Sequence, residues 1–114
     1  MDMEKSTLVK VAETSEIPLG QMKVVTLVEK EVLIANVNNV YYAIGNICTH
    51  MGGDLSKGVL DGNTVTCPRH KSKFDVTTGK VVSGPKIPFI HPKIKDEPSY
   101  VVKVEGKDIL LGPQ

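Results

Sequence analysis

The chain has 114 residues, 40% hydrophobic and 24% charged, with a formal net charge of +1. That is the size of one domain, long enough to bury a core without disulfides, and no apolar run approaches the roughly 18 residues needed to cross a membrane. With three Tyr, two Phe and no Trp, the chain lacks the basic, aromatic platform that nucleic acid requires, so neither nucleic acid nor membrane is an expected partner.

The first ten residues, MDMEKSTLVK, carry acids and no apolar stretch of the kind a secretory signal needs, so the expected localisation is cytoplasmic. TLVKVA (Thr7 to Ala12), MKVVTLV (Met22 to Val28), VLIANV (Val32 to Val37) and VYYAI (Val40 to Ile44) are rich in β-branched and aromatic residues and read as strands. Asn38-Asn39 stands where a tight hairpin turn belongs. GVL and TVT flank Asp61-Gly62-Asn63 as a further hairpin, and KFDV, KVV, YVVKVE and DILL follow, with Thr78-Gly79 and Gly106-Lys107 as turns. No helical period runs long enough to define a helix, and short strands at this spacing predict an all-β antiparallel sandwich or small barrel. SGPKIPFIHPKIKDEPS, with four prolines in 17 residues, reads as an extended surface loop. The 15 residues after it are too few to fold alone, so the prediction is a single domain over 1–114.

Both cysteines and two of the three histidines fall within residues 48–70. Their spacing is C-x-H at Cys48 and His50, 16 intervening residues, then C-x-x-H at Cys67 and His70. A hairpin between the two pairs brings them to one point. A lone disulfide is unexpected in a reducing compartment and would leave the histidines unexplained. Four such ligands suit zinc, but structural zinc pairs usually enclose about two to four residues, and C-x-H encloses one. In an extended loop, residues i and i+2 lie on one side, roughly 6 to 7 Å apart, a bite better suited to two adjacent metals.

CTH followed by CPRH, continuing through FDVTTGKVVSGP, resembles the Rieske iron-sulfur proteins, strongly over about Ala43 to Pro85. The resemblance implies a Rieske-like antiparallel β-sandwich with a small cluster-binding subdomain of two loops at about 45–86. It also implies one 2Fe-2S cluster per chain, with Cys48 and Cys67 on one iron and His50 and His70 on the other through Nδ1. Mixed ligation makes the cluster less negative than four thiolates would, which raises its potential to roughly −150 to +300 mV from about −400 mV in plant-type ferredoxins.

In the Rieske proteins of cytochrome bc complexes a second cysteine follows each ligand pair and the two form a disulfide; Gly53 and Arg69 occupy those places here. Those proteins also offer a Ser and a Tyr hydroxyl to the cluster region. Ser72 matches the first and Phe74 replaces the second. The resemblance is therefore to soluble ferredoxins that serve oxygenases, and the implied function is one-electron transfer from a ferredoxin reductase to a terminal oxygenase or other redox protein. No enzyme activity is expected, since all iron positions are filled by protein and no flavin, nicotinamide or haem motif is present. Two other classes are a Rieske-fold small or regulatory subunit resembling that of NADH-dependent nitrite reductase, whose members commonly lack the ligands, and a zinc-stabilised interaction module.

Charge is uneven along the chain. Residues 1–47 hold four Lys and six acids, 48–86 hold six Lys or Arg and three Asp, and the remainder holds four of each. The ligand segment is the basic one, so an acidic docking surface is expected on the partner. His91 is expected to be an ordinary loop residue, Asp54 and Asp75 turn or hydrogen-bonding residues, Met22 and Met51 packing residues, and Gly79 the left-handed residue of a turn.

Overall fold

Strand VLIANV, apolar on consecutive positions, sits between two cores. In the computed structural model, which describes residues 8–49, 52–69, 71–84 and 94–112, its alternate side chains point in opposite directions, as pleating demands. Val32 and Ile34 enter one core with Val25, Ala43, Ile109 and Leu111. Leu33 and Ala35 enter the other with Ile44, Leu55, Val65, Phe74, Cys48 and Cys67.

The described strands are β1 (Val9–Glu13), β2 (Met22–Leu27), β3 (Lys30–Val37), β4 (Val40–Gly45), β5 (Val59–Asp61), β6 (Thr64–Thr66), β7 (Lys73–Asp75), β8 (Val81–Ser83), β9 (Ser99–Tyr100), β10 (Val102–Glu105) and β11 (Asp108–Leu111). They form three sheets of order β1-β11-β10, β2-β3-β4-β9 and β5-β6-β7-β8, and all their pairings are antiparallel. The sheet holding β3 is thus the middle layer, with the terminal strands on one face and the β5–β8 sheet on the other. The architecture is the expected all-β antiparallel sandwich, with the candidate ligand loops following β4 of the middle sheet and β6 of the short-stranded β5–β8 sheet. Two single turns of 3-10 helix, Thr14–Glu16 and Leu55–Lys57, are the described helical elements.

Hairpin turns explain most of the differences from the expected strand limits. Asn38 and Asn39 form the β3–β4 turn with φ of 54° and 67°, the left-handed pair that a two-residue hairpin with matching twist requires. Val28 and Glu29 adopt the same conformation, with φ of 47° and 65°. Val28 therefore leaves the strand and stands 84% exposed at the β2–β3 tip, since continuing the strand would forbid the register that pairs Leu27 with Lys30. Between β5 and β6 the turn is Gly62-Asn63, because Asp61 already pairs with Thr64. The run YVVKVE is split at Val101: β9 pairs with β4, and β10 with β11.

Gly79 has φ of 82° as expected. Asp75 accepts from the Thr77 N–H and hydroxyl, and Asp54 caps the second 3-10 turn by accepting from the Ser56 N–H. Met22 packs against the core that holds the cysteines. Of the proline-rich stretch, 85–93 lie outside the described residues, as do Met51, Lys86 and His91. Of the described remainder, Ser83 ends β8 and Ser99 begins β9, and 94–98 are irregular but do not lie loosely on the surface: Glu97 is buried.

Candidate metal centre

Two loops leave the ends of β4 and β6 and have the same backbone pattern. In the first, the Cys48 N–H donates to the Gly53 carbonyl at 2.7 Å and the Gly52 N–H returns to the Cys48 carbonyl at 2.9 Å. In the second, the Cys67 N–H donates to the Ser72 carbonyl at 2.7 Å and the Lys71 N–H returns to the Cys67 carbonyl at 3.1 Å. Each loop closes on a left-handed residue four places after its cysteine, Gly52 with φ of 72° and Lys71 with φ of 66°. The sequence gives each loop what this needs: glycines after the first pair, and Pro68 to stiffen the second.

The loops meet where Gly53 of the first faces Cys67 of the second. A β-carbon on Gly53 would lie 2.7 Å from Cys67 Sγ and 3.2 Å from Arg69 Cγ, so only glycine fits between them. Cys48 and Cys67 are 3% and 1% exposed, belong to one apolar cluster and form no disulfide. His50 and His70 lie outside the described residues, so the structure brings together the two cysteines of the four expected ligands. Exposed Arg69 and Lys71 flank position 70, and Ile47, 45% exposed, stands beside the first loop.

Two polar networks that sequence reasoning missed brace the first loop. Asn46 is fully buried: its Nδ2 donates to Glu31 Oε1 at 2.9 Å and Asp54 Oδ1 at 2.8 Å, and its Oδ1 accepts from the Ser56 N–H at 2.9 Å. The Ser56 hydroxyl, with the Asn46 amide and the Ser56 N–H, holds the Asp54 carboxyl below its usual range. On the other side, Glu97 Oε2 accepts from the Thr49 N–H at 3.0 Å, and the Thr49 hydroxyl donates to the Lys95 carbonyl at 2.5 Å. Burial pushes the Glu97 carboxyl up to about 7, against the opposing pull of the Thr49 N–H. The Tyr100 hydroxyl is raised by burial and then by the charge of Glu97. No local signal marks Asn46 or Glu97, because the groups that meet them come from other segments of the chain.

Ser72 supplies a test of whether a metal cluster fits here. Its hydroxyl, at the foot of the second loop, is buried without a hydrogen-bond partner among the described residues, a state that proteins rarely leave uncompensated. A sulfur acceptor within its reach would satisfy it, and two buried thiols are the donors that iron-sulfur clusters use. The described residues therefore fit such a cluster.

Comparison with known proteins agrees. Residues 7–92 match the model of the Rieske [2Fe-2S] domain. The chain belongs to that family. It is 36% identical over 96 residues to the ferredoxin component of the naphthalene 1,2-dioxygenase system of Pseudomonas aeruginosa, covering 84% of this chain and 86% of that protein. The ferredoxin of carbazole 1,9a-dioxygenase from Nocardioides aromaticivorans IC177 superposes with a TM-score of 0.84 at 29% identity, over 95% of this chain and 99% of that one. A ferredoxin seen in complex with its reduced oxygenase, also of carbazole 1,9a-dioxygenase, superposes with a TM-score of 0.82 at 27% identity, over 95% and 94%. The family's cofactor is the Rieske 2Fe-2S cluster, and these relatives are electron carriers, not catalysts. Among the described residues no helix is long and apolar enough to cross a membrane.

Proposed function

We propose that this chain is the ferredoxin of a multicomponent oxygenase system, taking one electron from a reductase and passing it to a terminal oxygenase. The observation that carries the reading is the pair of matched loops, each closing on a buried cysteine, Cys48 or Cys67, of one apolar cluster. In this reading the chain is one domain over 1–114, with its cluster-binding part at about 45–86, and its compartment is the cytoplasm, where thiols stay reduced. Cys48 and Cys67 bind one iron, and His50 and His70 bind the other through Nδ1.

The bound cluster supplies reversible one-electron chemistry in the window set by mixed ligation. The chain's own residues do the rest. The Cys48 and Cys67 sulfurs are shielded from water, the Ser72 hydroxyl offers a hydrogen bond to sulfur, and Gly53 lets the loops close. Arg69 and Lys71, exposed beside position 70, support docking to an acidic surface on the partner.

Iron and acid-labile sulfide analysis with electron paramagnetic resonance after dithionite reduction tests the reading. The expected result is two irons and two sulfides per chain with the low average g value of mixed His/Cys ligation. Cys48→Ser and Cys67→Ser are expected to lose the cluster, because ligation is part of the loops' folding energy. One zinc per chain and a colourless protein would overturn the reading.

A further inference from the structure

The peptide N–H between Cys48 and position 50 is held by a carboxylate. Glu97 is 4% exposed, its Oε2 accepts from the Thr49 N–H at 3.0 Å, and its own N–H donates to the Gly79 carbonyl at 2.7 Å. Space for this arrangement is built from two distant glycines. A β-carbon at Gly45 would lie 2.6 Å from Glu97 Oε1, and one at Gly79 would lie 2.2 Å from the Glu97 carbonyl oxygen. Pro98 completes the clamp, its carbonyl accepting from the Gly45 N–H at 2.9 Å. Such close fitting of a carboxylate is costly, since it loses hydration and gains a single N–H. No cation among the described residues pairs with it.

A purely structural clamp has cheaper forms, because any neutral acceptor would hold the Thr49 N–H. The carboxylate adds a negative charge at the ligand loop, where reduction also places negative charge. Like charges in a medium of low dielectric repel more strongly than in water. The other titratable groups around the same cleft, about 410 Å³ in volume, are Glu29, Lys30 and Glu31 from the β2–β3 hairpin and the Tyr100 hydroxyl from β9. Glu31 is drawn to Asn46, which also binds Asp54. Lys95 and Asp96 adjoin Glu97 in the chain.

We propose that Glu97 is a positioning residue for the first ligand loop whose buried carboxylate, bound to the Thr49 N–H, holds down the electron affinity of the metal centre. The role adds to that of the ligands and rests on the electron-carrier reading. It gives the chain a means of setting its potential from outside the ligand set, through a segment that sequence alone reads as surface loop.

Voltammetry of the intact protein tests it. At alkaline pH, where the carboxylate is ionised, Glu97→Gln keeps an oxygen for the Thr49 N–H but removes the charge, and its midpoint potential is expected above that of the unsubstituted protein. Glu97→Asp and Glu97→Asn repeat the comparison on a shorter arm, so the charge effect remains measurable if one variant does not load; the neutral member should again have the higher potential. Glu97→Leu removes the acceptor, and faster Thr49 amide exchange and faster iron loss to a chelator are expected. Equal potentials within each Glu/Gln and Asp/Asn pair, with clusters intact, would overturn the charge role. Unchanged Thr49 exchange and iron retention in Glu97→Leu would overturn the positioning role. Failure of the unsubstituted protein to bind iron would instead overturn the electron-carrier reading beneath both.

Discussion

Gly53 and Cys67 come from different loops, yet a β-carbon on the first would stand 2.7 Å from the sulfur of the second. That contact fixes how closely the two ligand loops approach. Gly53→Ala must displace either the Cys67 sulfur or the loop backbone, because both residues are buried. A cost of about 1 to 3 kcal/mol is expected from overpacking, with reduced iron content. Gly62→Ala is the control: its β-carbon meets open space, but its φ of 61° is unfavourable to alanine. It should lower the melting temperature without changing iron content. A Gly53→Ala protein with full iron and an unaltered melt would show that the loops can give way at this point.

Ser72 makes opposite predictions for the metal-free and loaded protein. Without metal its buried hydroxyl has no partner among the described residues, so Ser72→Ala should leave the metal-free protein unchanged or stabilise it by up to about 1 kcal/mol. In the loaded protein a hydroxyl that reached a cluster sulfur would donate to it and favour the more negative, reduced state. Ser72→Ala should then have a lower midpoint potential. Chemical denaturation of the first and voltammetry of the second check both halves; an unchanged potential would mean that the hydroxyl does not reach the cluster.

Arg69 and Lys71 frame position 70 and are exposed. If they meet an acidic partner, Arg69→Glu and Lys71→Glu should each slow association roughly tenfold or more at low salt. The difference should shrink as the screening length falls from about 10 Å at 0.1 M toward about 3 Å at 1 M. Stopped-flow electron transfer to the oxygenase over a salt series measures this. Rates of both variants equal to those of the unsubstituted protein at low salt would remove these charges from the docking surface.

What was legible in the sequence was whatever local chemistry carries. Asn38-Asn39 announced its turn because Asn tolerates the left-handed region, and the β-branched, apolar run VLIANV announced a strand, but not that its two faces enter separate cores. The hairpin between the two pairs announced that Cys48 and Cys67 would share one part of the fold, as their common apolar cluster shows. Lys71 at φ of 66° was not, since nothing about lysine signals a left-handed bend. Glu97 reads as a surface acid before a proline; its burial is made by Gly45 and Gly79, 52 and 18 positions away. Val28 misled for the opposite reason, its strand propensity being overridden by the register of β2 and β3.

That override leaves a removable strain. Val28 is β-branched, holds φ of 47° and is 84% exposed, so it is in a disfavoured conformation with little packing in return. Replacing Val28-Glu29 by Asn-Gly, the preferred pair for this turn, should stabilise the protein by about 1 kcal/mol. Thermal and denaturant unfolding check the gain. A loss of stability would mean that the valine makes contacts worth more than the strain.

The buried Glu97 carboxyl gives the fold a pH dependence of unusual sign. Its ordinary value is 4.5 and burial raises it to about 7 in the folded chain. Below the lower value both states are protonated and the fold keeps its full stability. Between the two, only the unfolded chain ionises, so stability falls as pH rises. Above the higher value both are ionised and the loss is complete, about 2 kcal/mol once the linkage value is discounted for water reaching the cleft. Glu16 and Asp54 act in the other direction. Lys23 and Ser56 respectively are the largest influences holding their carboxyls low, so their contributions are present above the unfolded values and lost on acidification. Denaturant unfolding across this range should therefore show stability declining from mild acid to neutrality, with a separate loss in stronger acid. Glu97→Gln removes the titrating group and should flatten the first decline while leaving the second. If the variant and the unsubstituted protein decline in parallel, Glu97 is not the group that loses stability as the pH rises.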